Sequence, residues 1–487
     1  MNWLPNKILL YQLYIFQLEE YDSKRFVSAI SKKGLIPSNK LRKKAILTKK
    51  ALIIIALVLL QQIIVLFALG FLLNEVINNL AILTLILIIV LYVFNLFSFV
   101  FLIQAKDLLW PIDFYAKRKM IKNAKAKLAA LSNLKIIGIT GSYGKTTMKE
   151  ALYEFLKEQY NVVKTEGNNN TPIGISRTIL NKLTKNTDIF IVEMGEYVKG
   201  DVKALCEIAT PDISVITGIN EAHLERYLTM ENAISTKFEI VEYAKPDALV
   251  LLNADDQLTI DNYKRFVKDS RIEFFSSKNN SLSNYKISDY EFNQDGKGQE
   301  FKLIHRTEEL GVVRTSILGE YIIGNIVAGY ILGQELGISN SKLKYAANNL
   351  KGVEHRLQPI FNATSNILVI DDTYNGNSDG FKEGVNMLSK FKERRKVYVT
   401  PGLVETGDLA EQLHLEIGKN LAGVADLVIL VKNSVTGFIE KGLIDNGFSE
   451  DKIVWYDNSK NVWEELNNNI KNGDVVMLQN DWSDNYY

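Results

Sequence analysis

Lys145 and Thr146 follow two spaced glycines, Gly141 and Gly144, in the stretch 134–147, LKIIGITGSYGKTT. Glycines at this spacing let backbone N–H groups close around phosphate oxygens. The lysine then offers a point charge to the β- and γ-phosphates, and the hydroxyl an oxygen to Mg²⁺. Ser142 and Thr147 complete the loop. The residues before it, 134–139, are apolar and branched, as a buried parallel strand requires. Those after it predict a helix over 146–159, whose N-terminal dipole favours an anion. The strict nucleotide-binding pattern has Gly or Ala at position 139, where this chain has Ile139. An ordinary strand-to-helix turn would explain the glycines alone. The lysine, the hydroxyl and the flanking elements together favour a nucleoside triphosphate.

Further polar residues stand at or after the ends of apolar runs. Glu193 closes the run 188–193 in IVEMGE, where a nucleotide-bound Mg²⁺ needs a carboxylate oxygen. His223, one of four histidines, follows the run 213–216, although a lone loop histidine is more often simply solvated. Then come Lys237 in STKFEI, NADD at 253–256, Asn325, Arg356 and DDTYNGN at 371–377. Each alone fits an exposed surface position; their order along the chain carries the signal.

An α/β scaffold must position them. Predicted strands at 136–140, 162–165, 189–193, 213–216, 248–253, 367–370, 396–400, 427–431 and 475–479 alternate with helices, which gives mainly parallel sheets. Residues 270–320 read as an antiparallel extension. A boundary near 351–356 follows a helix at 324–336. This divides a phosphate-loop central domain, 133–352, from a Rossmann-like C-terminal domain, 353–487. The 487 residues are ample for two or three such domains.

Upstream the chain changes character. Residues 1–50 are strongly basic and include a short apolar run, 8–16, that suits an interfacial or packing helix. Runs 51–73 and 76–105 are each long enough to cross about 30 Å of hydrocarbon as a helix. Asn74 and Glu75 mark the junction, so 51–105 reads as a transmembrane hairpin, with a pair of buried core helices as the alternative. A polar linker helix, 106–132, follows. Basic residues before the hairpin and after it (Lys106, Lys117, Arg118, Lys119, Lys122) put both ends and everything downstream in the cytoplasm. The same flanks suit anionic lipid headgroups. A net charge of +1 argues against a general nucleic-acid partner. The single cysteine, Cys206, excludes an internal disulfide framework and a multi-cysteine zinc site.

The ordered series resembles the Mur ligase family, ATP-dependent amide-bond ligases of cell-wall peptide assembly. GITGSYGKTT is similar to the family's ATP loop, and TEGNNNTPIG to its GN-x-N-x-x-IG loop. IVEMG, PDISVITGINEAHLE, TKFEI and NADD follow in family order. DDTYNGN and GLVETGDLAEQLHLEIG are most similar to the branch that adds D-alanyl-D-alanine to a UDP-muramoyl tripeptide. The resemblance implies phosphate contacts from Lys145 and the loop 141–147, and one Mg²⁺ on Thr146 and Glu193. It implies a second ion helped by His223, and a carbamylated Lys237. Asn325 would meet adenine, Arg356 a phosphate and Asp372 the ribose. Asn168, Asn170, Asn375 and Asn377 would lie on the substrate side. The last domain would close over the ATP site. Three departures stand out. Tyr321 and Ile322 replace an HN pair, Thr171 replaces an asparagine, and the chain ends QNDWSDNYY where the branch resembles KGSR. The UDP-binding N-terminal domain is not recognisable.

The implied substrates are a cell-wall peptide precursor and an amine-bearing amino acid or dipeptide. Related readings are a membrane-tethered ligase acting on a lipid-linked or polyglutamate-type substrate, or a nucleotide-binding membrane scaffold. The scaffold has no use for Lys145, Glu193, His223 and Lys237 together.

Overall fold

The computed structural model describes residues 7–36, 45–77, 79–167, 169–221, 227–268, 271–374, 376–403, 406 and 409–481. The chain forms two compact units, Met1–Lys119 and Met120–Trp482.

In the larger unit a first sheet has the order β2-β3-β1-β4-β5-β6. Its strands are β1 (Lys135–Thr140), β2 (Val162–Lys164), β3 (Ile189–Glu193), β4 (Ile213–Ile216), β5 (Leu249–Asn253) and β6 (Arg271–Phe275), all parallel. β1 is central and buried on both faces, which is why it reads as a continuous apolar run. Helix Lys145–Leu156 covers one face through Met148, Leu152 and Phe155, packed with helix Tyr321–Glu335. Helix Met230–Glu242 covers the other through Ile234 and Phe238. Strands β7 (Tyr285–Phe292), β8 (Gln299–His305) and β9 (Glu308–Thr315) form the expected antiparallel extension. Residues 271–275, expected in that extension, instead join the parallel sheet beside β5.

A second sheet has the order β10-β11-β15-β12-β13-β14. It comprises β10 (Gln358–Asn362), β11 (Ile367–Asp372), β12 (Lys396–Thr400), β13 (Leu427–Val431), β14 (Ile453–Tyr456) and β15 (Val475–Gln479). All pairs are parallel except β10 with β11. The sequence reading missed β10 and β14. Both are edge strands and alternate less cleanly. Helices Ser378–Ser389, Ala410–Ala422 and Thr436–Asp445 pack against this sheet.

In the smaller unit the two apolar runs of the expected hairpin differ in form. Helix Lys49–Asn74 is long and apolar enough to span a bilayer. The second apolar run is not one helix: Leu80–Leu96 ends at Phe97, and helix Ser98–Ala129 leaves at 69°. Polar side chains fix the break. Gln12 Nε2 donates to Leu96 O at 2.8 Å, and Ser98 Oγ donates to Phe94 O and Asn95 O. The expected linker helix is the continuation of Ser98–Ala129, with Pro111 inside it. The basic segment before residue 50 also carries structure. Helices Lys7–Leu18 and Ser23–Lys33 bury Leu13, Phe16, Phe26 and Ile30 with Ile54, Val58 and Leu102.

Candidate active site

The parallel order of the first sheet puts the C-terminal ends of β3, β1 and β4 side by side, where an open α/β sheet offers its ligand crevice. β1 leads into the glycine loop. Gly141 has φ +144°, and a Cβ there would stand 2.2 Å from Thr217 Oγ1. Gly144 takes φ +74° at the N-cap of helix Lys145–Leu156. Neighbouring strand ends hold the loop in shape: Ser142 N donates to Gly218 O at 2.8 Å, and Thr217 Oγ1 to Thr140 O and Tyr143 O. Tyr143 donates to Asp256 Oδ2 at 3.0 Å. Asp256 also caps helix Gln257–Phe266, so NADD anchors the loop.

Glu193 lies beside the first turn of helix Lys145–Leu156. Its Oε2 accepts from Thr146 Oγ1 at 3.1 Å and from Lys149 Nζ at 2.8 Å. Asn170 Nδ2 lies 3.4 Å from Oε1. Thr146 and Glu193 therefore meet. Lys149 was missed; it is four residues after Lys145, hence on the same helix face. Lys145 Nζ donates to Gly141 O and lies 3.6 Å from Glu196 Oε1. Lys237 Nζ lies 3.3 Å from the same carboxylate oxygen and donates to Tyr227 OH at 2.9 Å. Burial lowers the Lys237 pKa, and Glu196 opposes that shift. Glu196 and Tyr227 were also missed; a second glutamate three residues past Glu193 was the available signal.

The second sheet brings Arg356 and Asp372 together. The Arg356 guanidinium lies 4.3 Å over the Tyr374 ring, and its buried Nε has no hydrogen-bond partner among the described residues. Asp372 accepts from Gln479 Nε2 at 2.9 Å and from Leu357 N at 3.2 Å. Burial pushes its carboxyl up to about 6, against the opposing pull of Gln479 and Arg356. Gln479, in the divergent C-terminus, thus positions Asp372. Asn325 is buried with Nδ2 unpartnered among the described residues, an orphan donor suited to a ligand. Tyr321 packs against the cores of both domains.

Other expected residues have structural work. Thr147 Oγ1 donates to Gly144 O at 2.9 Å. Asn377 caps helix Ser378–Ser389, and Thr171 caps helix Pro172–Lys182. Asn168, His223 and Asn375 lie outside the described residues. No group of three or more His, Cys, Asp or Glu able to hold a metal occurs among the described residues.

Residues 139–333 match the Mur ligase middle domain, and 355–479 the Mur ligase, glutamate ligase domain. The chain carries both ligase domains of the Mur family. It is similar to the UDP-N-acetylmuramoyl-tripeptide–D-alanyl-D-alanine ligase of Bacillus subtilis, at 28% identity over 73% of this chain and 75% of the relative. The enzyme of that name from Escherichia coli is 26% identical over 66% of this chain and 72% of its own. The MurF ligase of Thermotoga maritima in complex with ADP superposes with a TM-score of 0.65, at 27% identity, covering 75% of this chain and 80% of that one. The chain is an ATP-dependent ligase.

Proposed function

We propose that this ligase joins D-alanyl-D-alanine, or a closely related amine, to the terminal carboxylate of a muramoyl tripeptide. The observation that carries the reading is the convergence of Lys145, Thr146 and Glu193 at adjoining strand ends with Lys237 of helix Met230–Glu242, and of Arg356, just before β10, with Asp372, at the end of β11. Lys145 and Arg356 would face the triphosphate, Asn325 the adenine and Asp372 the ribose. The substrate carboxylate attacks the γ-phosphorus, and ADP leaves with the bridging oxygen. The amine then attacks the acyl carbon and phosphate departs, leaving the amide. The Lys145 charge and the loop N–H groups stabilise the transferring phosphoryl group without rearranging.

Thr146 Oγ1 and Glu193 fit a Mg²⁺, being hard oxygen donors 3.1 Å apart beside the phosphate loop. Bound there, the ion would screen phosphate charge. A second ion on His223 and a carbamate on Lys237 belong to the family resemblance. Asn170 stands beside Glu193, suited to the substrate side, with Asn168, Asn375 and Asn377 as the resemblance has them.

The apolar helix Lys49–Asn74, with the bent pair after it, supports anchoring at the cytoplasmic face of a membrane. On this reading the muramoyl substrate is lipid-linked or presented at the membrane. Phosphate release requiring both D-alanyl-D-alanine and a tripeptide carboxylate, and lost in Lys145→Ala, is the expected result. ATP turnover indifferent to either substrate would count against the ligase. Equal rates on soluble UDP-linked and lipid-linked tripeptides would remove the support for a lipid-linked substrate.

A further inference from the structure

The surface of the smaller unit holds a stretch that the ligase chemistry leaves unused. Helix Ser98–Ala129 exposes Leu108, Trp110, Ile112, Phe114 and Tyr115. Two stripes run along it. Trp110 and Phe114 stack with ring centroids 5.2 Å apart, and the Arg118 guanidinium lies 5.0 Å over the Phe114 ring. Leu108, Ile112 and Tyr115 share another face, which Lys119 continues at helical spacing. Each stripe starts apolar and ends in a cation, so the polarity of this helix changes along its length rather than around it.

Contacts within the unit set the level of this stretch. Helices Lys49–Asn74 and Leu80–Leu96 run antiparallel: a Cβ on Gly70 would stand 3.5 Å from Leu87, and Gln62 Nε2 donates to Phe94 O at 3.4 Å. At that register a straight continuation would bring residue 106 or 107 opposite Lys50. The break at Phe97 changes this. Lys106 Nζ turns to Ser23 Oγ at 3.4 Å, and Lys50 pairs with Asp113. Six or seven further residues, about 10 Å of helix, are taken up by a slant before the second run draws level with the start of the first. Lys49 and Lys50 open the apolar helix Lys49–Asn74. Trp110, Phe114 and Tyr115 therefore flank Asp113 at the depth where hydrocarbon would give way to headgroups. Trp and Tyr rings settle at that depth, and basic side chains just outside it meet anionic phosphates.

We infer that residues 108–119 form an interfacial collar, docked on anionic phospholipid headgroups where the second apolar run leaves the hydrocarbon at a slant. The inference rests on reading helix Lys49–Asn74 as a membrane span. The graded polarity of the two stripes is that of a bilayer's edge, apolar on one side and anionic on the other.

The test uses the full chain reconstituted in vesicles of phosphatidylglycerol and phosphatidylcholine, with nitroxide labels read for depth. Cys206 is buried and stays unlabelled. Single labels go in through Ile63→Cys, Ile112→Cys and Lys185→Cys, all at exposed positions. Accessibility to oxygen and to a water-soluble nickel chelate should place the Ile63 label deepest, the Ile112 label among the headgroups and the Lys185 label in water. An Ile112 label as deep as that at Ile63 means an upright span, and one as accessible to water as that at Lys185 means a free helix; either overturns the inference. So does an Ile112 label shielded from both reagents, which means a protein cover. If the Ile63 label is itself in water, the anchor reading falls as well. A deep Ile63 label with a solvated Ile112 label strikes the collar alone. Lys117→Gln, Arg118→Gln and Lys119→Gln together should lower the ratio of phosphatidylglycerol to phosphatidylcholine retained on the purified protein by about twofold or more. An unchanged ratio also overturns the inference.

Discussion

Glu193 shows how closely stability and function are joined at single residues here. Its carboxylate is buried, and Lys149, fully buried, is its counter-charge at 2.8 Å. Lys149→Met leaves that carboxylate without its ion-pair partner and should cost about 3 kcal/mol of stability. Denaturant titration would measure this, and adding Glu193→Gln should return much of the loss. Asp372 carries a different signature. Its carboxyl lies above its ordinary 3.8, at about 6, so the folded protein holds a proton there that the unfolded chain has released. Its contribution to stability therefore falls as pH rises from 3.8 to about 6 and is constant above. If Asp372 accepts from the ribose, nucleotide affinity should rise over the upper part of that interval, and Asp372→Asn should flatten the profile measured by titration calorimetry. Residue types made Lys145, Thr146 and Glu193 legible in the sequence, because their spacing is tied to one strand and one turn. Lys149 and Glu196 were not legible. A lysine in a helix and a glutamate in a loop ordinarily face water, and only the packing of β1 against β3 turns both inward.

At the scale of elements, the strands that hold the site were the readable ones. β1, β3 and β4 are central, so both faces are apolar and the run stands out. The edge strands β10 and β14 have partly wet faces and no such run. The break at Phe97 was hidden for another reason. It depends on Gln12, distant in sequence, reaching the Leu96 carbonyl, and no local composition records that. Two helices support the phosphate loop from below. Gly329 in helix Tyr321–Glu335 lets the Phe155 ring of helix Lys145–Leu156 approach so closely that a Cβ would stand 2.6 Å from it. Gly329→Ala should push these helices apart and destabilise by about 1–3 kcal/mol. Because helix Lys145–Leu156 begins at the phosphate loop, nucleotide affinity should weaken as well. A Gly329→Ala protein with unchanged melting temperature and unchanged ATP-analogue affinity would show that the contact is slack.

Across the larger unit, the two ligase domains meet through polar contacts beside the site. Asn220 Nδ2 donates to Asp379 Oδ2 at 2.6 Å, and Ser378 Oγ donates to Glu221 Oε1. Lys390 Nζ pairs with Glu320 at 2.6 Å, and Glu320 N donates to Glu383. Asp379 and Ser378 open the helix that follows the Asp372 strand, so these bonds connect the phosphate-loop side to the Asp372 side. Leu318, Phe292 and Tyr321 add an apolar contact with the core of the second domain, and a ligase that forms an acyl phosphate needs closure to keep water out. Asp379→Ala removes the acceptor for Asn220 without touching Lys145 or Glu193. Its effect should fall on kcat for amide formation, by about tenfold, with affinity for an ATP analogue within a factor of about two of wild type. Acyl phosphate lost to water should appear as phosphate released in excess of amide formed. Equal phosphate and amide yields in Asp379→Ala would mean that the contact merely accompanies closure.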